Sequence, residues 1–377
     1  MTIYLDCNAT TPIEAQVQNS IIKYMTEEFG NAASRTHEYG LTAKKAVQQA
    51  RDQIAKLVNA KREEVIFTSG ATESNNIAIL GLQKYGIQHN KRHIISTTIE
   101  HKAVLEPLME LEKQGFEISL IHPNKDGYVE PQTIKNALRK DTLLVSIMHA
   151  NNETGILQPI TKIAEQLQQH QTYFHVDAAQ AYGKDIPTLR NQRIDMISAS
   201  AHKIYGPKGI GTLIIRRRGY QKMPLTPLMY GGGQERGLKP GTLPVPLIVG
   251  FGIASQLALQ NHKQRNQTCK QFKQKLITAL TPLNPTIHGN LQHSLPNCIN
   301  FSIKGIDSEA AILTLKGIIA ISNGSACTSS NYSSSHVLQA MQLSEQQIQG
   351  ALRISWCHLT PSVNWQPIIQ HLNQLII

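Results

Sequence analysis

Short apolar runs rich in branched residues recur through the first two thirds of the chain, at residues 65–67, 93–96, 118–121, 143–148, 173–176, 196–198 and 212–216. Such runs, bounded by polar segments, read as buried strands. Between most of them lie stretches with helical periodicity, such as 73–82, 103–114 and 160–169. Strand and helix in alternation imply right-handed crossovers, and so a mostly parallel seven-stranded sheet flanked by helices. From about residue 258 the pattern changes: a long polar helix pattern at 261–280, short strands at 299–303 and 319–321, then two closing helix patterns. The expected fold is α/β, with a large domain at 15–257. A smaller α+β domain is expected from 1–14 and 258–377.

Composition narrows the class. Of 377 residues, 41% are apolar and 17% charged, which excludes a disordered chain. No apolar stretch approaches a membrane span, and the start has neither a basic nor an apolar leader region, so a cytoplasmic location without membrane contact is expected. The net charge is +11, but Lys and Arg are scattered, with only short clusters at 61–62, 91–92 and 216–218. Direct DNA binding is therefore not expected. The five cysteines, Cys7, Cys269, Cys298, Cys327 and Cys357, are odd in number and include no C-x-x-C pair. This argues against a disulfide framework and a cysteine-rich metal site. Four of them read as small buried hydrophobes.

In open α/β sheets ligands sit beyond the carboxyl ends of the strands, so the polar residues that follow each strand are the ones to inspect. After 65–67 comes Thr68-Ser69-Gly70-Ala71-Thr72-Glu73-Ser74-Asn75, a glycine turn leading into a helix. Free N–H groups from Ala71 onward and the Thr72 hydroxyl suit a phosphate, though alone the motif reads equally as a threonine cap. The chain lacks a G-x-x-x-x-G-K loop, which points away from nucleotides. After 173–176 comes Asp177-Ala178-Ala179-Gln180, an acid able to hold a protonated ring nitrogen. After 196–198 comes Ser200-Ala201-His202-Lys203-Ile204-Tyr205-Gly206. A lone lysine there is a solvated turn residue. With a phosphate cradle and a ring-pairing acid upstream, Lys203 reads as a Schiff-base lysine carrying pyridoxal 5'-phosphate.

These motifs, together with Ser325-Ala326-Cys327-Thr328-Ser329, resemble the class V aminotransferase fold (fold type I of the pyridoxal phosphate enzymes), and within it the cysteine desulfurases of the NifS/IscS group. The resemblance runs from Leu5-Asp6 to about Thr360. It implies that Asp177 pairs with the pyridinium, Gln180 contacts the ring hydroxyl and His101 stacks on the ring. Ala71, Thr72, Ser200 and His202 would hold the phosphate, and Thr242 would reach the phosphate of the other subunit of a homodimer. Asn152 and Arg353 would hold the carboxylate of the L-cysteine substrate, since an arginine fork suits a carboxylate. Cys327 would receive the sulfur as a persulfide and pass it to an acceptor protein. Residues 322–335 hold seven serines and one glycine, a composition that favours a mobile loop.

The chain departs from the family pattern at Cys7, where a tyrosine is usual, and at His358, where an arginine is frequent. Residues 5–12 and 34–40 are similar to the desulfurases of DNA phosphorothioation systems. A general role in iron–sulfur cluster assembly or tRNA thiolation is the alternative. A pyridoxal phosphate aminotransferase or lyase without a persulfide is the rival on the same fold.

Overall fold

The computed structural model describes residues 2–323 and 334–376. Strand β1 (Ile3–Tyr4) opens the chain. Seven strands then form the central sheet: β2 (Val65–Thr68), β3 (His93–Thr97), β4 (Glu117–Ile121), β5 (Thr142–Met148), β6 (Tyr173–Asp177), β7 (Met196–Ser200) and β8 (Gly211–Ile215). Their order is β2-β8-β7-β6-β5-β3-β4. Only β8 runs antiparallel to its neighbours; the other pairings are parallel. Each strand matches an apolar run to within two residues.

Alternation along the strands divides the core. Phe67, Ile95, Val145, Phe174, Val176 and Ile197 belong to the cluster on one face. Ile66, Ile94, Leu144, Met196 and Leu213 belong to that on the other. Both faces are therefore covered, as parallel sheets require. Full burial of each such side chain contributes roughly 1.5–3 kcal/mol.

Five helices matter for the site: α1 (Ala15–Thr26), α2 (Glu38–Leu57), α3 (Ala71–Leu80), α4 (Lys102–Lys113) and α5 (Val245–Leu280). The periodicity marks α3 and α4 to within two residues but covers only the second half of α5. The first half buries Val245, Ile248, Val249, Phe251, Ala254 and Leu257, and an element so largely enclosed shows little polar face to read. The large-sheet core takes the apolar residues of α5 up to Ala258, whereas Cys269, Leu276 and Leu280 belong to a second core. That second core is built on β9 (Thr286–Ile287), β10 (Cys298–Ser302) and β12 (Leu352–Ser355), an antiparallel sheet of order β12-β10-β9. The expected N-terminal strand is present: β1 pairs in parallel with β11 (Ile319–Ala320). Leu5 joins the second core, and Trp356 fills its centre with its indole N–H donating to the Cys269 carbonyl at 3.0 Å.

Candidate active site

The six parallel strands end along one edge of the sheet. Loops leaving β2, β3, β5, β6 and β7 converge there with residues 8–9 and with Arg353 of β12 around a cavity of about 450 Å³. Ten of the expected residues line it: Ala71, Thr72, His101, Asn152, Asp177, Gln180, Ser200, His202, Lys203 and Arg353. Two do not. Thr242 is exposed on the loop before α5, away from the cavity of its own chain. Cys327 lies outside the described residues.

Asp177 closes β6, where Asn75 donates to its Oδ2 at 2.7 Å and the Ala179 N–H to its Oδ1 at 2.9 Å. Asn75 is three residues beyond Thr72, on the same face of α3. The carboxylate is thus pinned by two neutral donors. The Gln180 amide donates to the Asn8 carbonyl at 2.8 Å. The Lys203 Nζ donates to the Asn8 and Ala9 carbonyls at 2.5 and 2.7 Å. The turn that carries Lys203 is tied to the same N-terminal segment, because the Thr11 hydroxyl donates to the His202 carbonyl at 2.9 Å and accepts from the Tyr205 N–H at 2.9 Å. Tyr205 itself has φ of 68°, a left-handed conformation that costs a non-glycine residue about 1 kcal/mol.

The start of α3 is brought onto this turn by a close approach. A Cβ on Gly211 would meet the Gly70 Cα at 2.6 Å, so only glycine lets β8 begin against the helix cap. The first N–H groups of α3 have no acceptor within the helix and face the cavity beside Ser200 and Lys208. Burial, with Lys203 and Lys208 nearby, pushes His202 down to about 4 and keeps it neutral. Burial also lowers His101, against the pull of Asp177. Its Nδ1 accepts the Ala103 N–H at 3.0 Å, capping α4. Arg353 is buried; its guanidinium donates to Asp6 Oδ1 at 2.7 Å and to the Asn152 carbonyl at 3.1 Å, while its Nε has no partner.

These residues fit pyridoxal phosphate. Among the described lining residues Asp177 is the sole carboxylate, while Lys203, Lys208 and Arg353 are basic. A dianionic phosphate at the helix start and a protonated ring nitrogen at the strand-end acid match that charge pattern. The buried Asn75 Oδ1 has no hydrogen-bond partner, leaving an acceptor beside Asp177.

Asn8, Ala9, Asn75 and Lys208 line the cavity without having been singled out. Asn75 was legible from its spacing to Thr72. Asn8 and Ala9 act through backbone carbonyls, which no side-chain pattern announces. Glu100, next to His101 in the chain, was not singled out either. It is fully buried beside His101, accepts from the Thr97 hydroxyl at 2.7 Å and the Met148 N–H at 2.9 Å, and burial pushes it up to about 8.

The chain is similar to known proteins along nearly its whole length. The family model "Aminotransferase class-V" matches residues 3–363. The curated cysteine desulfurase IscS of Vibrio campbellii is 42% identical over 363 residues, covering 96% of this chain and 89% of the relative. The solved structure of DndA from Streptomyces lividans superposes with a TM-score of 0.82 at 46% identity, covering 93% of this chain and 98% of that one. SspA, solved in complex with cysteine, superposes with a TM-score of 0.82 at 36% identity, covering 96% of this chain and 100% of that one. The fold, the cavity at its strand ends and these similarities together mean that the chain belongs to the class V aminotransferase family, among its cysteine desulfurases.

Proposed function

We propose that this cysteine desulfurase uses Lys203 to hold its pyridoxal phosphate and Cys327 to receive the sulfur of L-cysteine. The observation that carries the proposal is the convergence of Lys203, Asp177 and the start of α3 on one cavity. The cysteine bound to the SspA relative supports the substrate.

When bound, the cofactor supplies an electron sink for the substrate Cα. Asp177, oriented by Asn75, keeps the proton on the ring nitrogen. Lys203 would hold the cofactor and, with its amine free in the presence of substrate, would accept the Cα proton at Nζ. His101, neutral through burial, is available to carry a proton. Arg353 and Asn152 hold the substrate carboxylate, with Asp6 fixing the guanidinium from the other side. The Cys327 thiolate attacks the substrate sulfur. The C–S bond breaks with its electron pair left on Cβ, the S–S bond of a persulfide forms on Cys327, and the carbon skeleton leaves as L-alanine after taking one proton at Cβ and one back at Cα from Lys203.

The exposed Thr242 fits a role across a homodimer, since a residue serving its own cavity would line it. Leu228, Met229 and Tyr230 belong to the same stretch of chain and are 41, 48 and 86% exposed, apolar surface that a partner subunit would cover. The domain division at 257/258 is supported by the change of core along α5. We assign the sulfur to DNA phosphorothioation on the resemblance of residues 5–12 and 34–40, with delivery through an acceptor protein. The experiment is Cys327→Ser. It keeps the visible band of the bound cofactor and loses alanine formation from L-cysteine. Full alanine production by that variant overturns the reading.

A further inference from the structure

Two of the positions where the chain departs from its family's usual residues, or sit beside such a position, meet in space. Cys7 follows β1 and Cys357 follows β12. The Cys7 N–H donates to the Ser355 carbonyl at 3.0 Å and the Asn8 N–H to the Ser355 hydroxyl at 2.9 Å, so the two segments are already fixed side by side. Cys7, Cys357 and Tyr205 form a small buried cluster.

They also line a second cavity, of about 340 Å³, which shares no lining residue with the cofactor cavity. Its other walls are Tyr4, Thr10, Thr11, Pro12, Leu359, Thr360 and Pro361. Tyr4, Pro12, Leu359 and Pro361 are exposed, so the cavity opens to solvent at that rim. Both cysteines are therefore buried yet line a space large enough for a small molecule.

The two sulfurs are not equivalent. The Cys357 sulfur accepts from the Thr360 hydroxyl at 3.6 Å. The neighbouring Cys7 thiol, together with the Thr360 hydroxyl, lowers Cys357 against its burial. The contrast within the chain is direct. Burial pushes Cys269 up to about 12 and Cys298 up to about 11, and neither lines this cavity. A sulfur that accepts a hydrogen bond beside an open cavity has the environment of a reactive thiol, whereas a sulfur enclosed in apolar core is inert.

We propose that Cys7 and Cys357 form a thiol–disulfide exchange site, entered through the second cavity by small-molecule disulfides, with Cys357 as the attacking thiol and Cys7 as the resolving one. The Cys357 thiolate attacks one sulfur of the small disulfide, forming a mixed disulfide and expelling a thiolate. Cys7 then gives up its proton to that leaving group or to solvent and attacks the Cys357 sulfur, expelling the second thiolate. The two protein thiols are oxidised to one disulfide and the small disulfide is reduced to two thiols. The product joins the segment that carries the Asn8 and Ala9 carbonyls to the exit of β12, linking the support of Lys203 to the second core.

The test uses folded holoenzyme carrying Cys327→Ser, so that the sulfur-accepting cysteine does not contribute, with 4,4'-dithiodipyridine as the probe. The expected result is fast release of thiopyridone and a cross-linked peptide joining Cys7 to Cys357 under non-reducing digestion, while Cys269 and Cys298 stay unlabelled. Adding Cys7→Ser should leave a stable mixed disulfide on Cys357. Adding Cys357→Ser should slow labelling of Cys7 at least about 10-fold. Absence of the cross-linked peptide in the holoenzyme, or labelling of Cys7 and Cys357 no faster than Cys269 and Cys298, overturns the proposal. The holoenzyme measurement stands whether or not either added substitution folds.

Discussion

At the scale of single residues the site depends on an amine and an acid held from opposite sides. Lys203 is held by the carbonyls of Asn8 and Ala9, and Asp177 by Asn75 and its own loop. Lys203→Ala is expected to remove the visible band of the bound cofactor and the activity together, measured by absorbance and alanine release. Asn75→Ala tests the positioning role. The Asp177 carboxylate remains but loses one of its two donors, so kcat should fall about 10-fold with the cofactor still bound, whereas Asp177→Asn should cost about 100-fold or more. Equal losses in the two variants would contradict the assigned roles. The sequence made Lys203 and Asp177 legible because each follows an apolar strand at the ligand edge of a parallel sheet. It concealed Asn8 and Ala9, whose contribution is main-chain, and Glu100, whose raised pKa arises from burial by residues distant in the chain.

At the scale of elements, the polar residues inside the sheet explain why the strand ends are rigid. His175 in β6 is fully buried and bridges its neighbours, its Nδ1 against Ser146 of β5 at 2.8 Å and its Nε2 against Ser198 of β7 at 2.9 Å. Burial pushes it down to about 3, so it is neutral in the folded protein. The strand carrying Asp177 is thereby fixed two residues before the acid. His175→Ala leaves both serines without this partner and opens a void, which should cost roughly 2–4 kcal/mol in denaturant unfolding. Strand positions were legible because apolar runs of this length have few other uses. The first half of α5 was not, because burial removed its polar face. The helices α1 and α2 were not singled out either; α2 packs through a stripe containing Ala43, Ala46 and Ala50, small residues that weaken the periodic signal.

At the scale of the whole molecule, buried titrating groups set a stability profile. Glu100 rises from an ordinary 4.5 to about 8, so between those values the folded state holds a proton that the unfolded state has lost. Its contribution is complete below pH 4.5 and is lost as pH rises towards 8. His202 and His175 fall from 6.5 to about 4 and about 3, so the unfolded chain takes up their protons first and stability is lost as pH falls below 6.5. The histidine and glutamate contributions taken together are largest near pH 6.5, where the two effects cross. Glu100→Gln should flatten the loss between pH 6.5 and 8 seen in urea unfolding; an unchanged slope would contradict the assignment. The proposed homodimer has its own test. Chains carrying Lys203→Ala mixed and refolded with chains carrying Thr242→Glu should regain part of the activity that neither has alone, because one intact hybrid site forms. No recovery would place Thr242 outside the partner's site.

The central claim joins the cavity at the strand ends to sulfur transfer, and intact-mass and peptide analysis of the holoenzyme after incubation with L-cysteine tests it most directly. The account predicts a chain one sulfur atom heavier, with the added sulfur on the peptide containing Cys327 and alanine formed alongside. Alanine formation with the added sulfur on Cys7, Cys269, Cys298 or Cys357 instead, or turnover of L-cysteine with no sulfur on the protein, would contradict it.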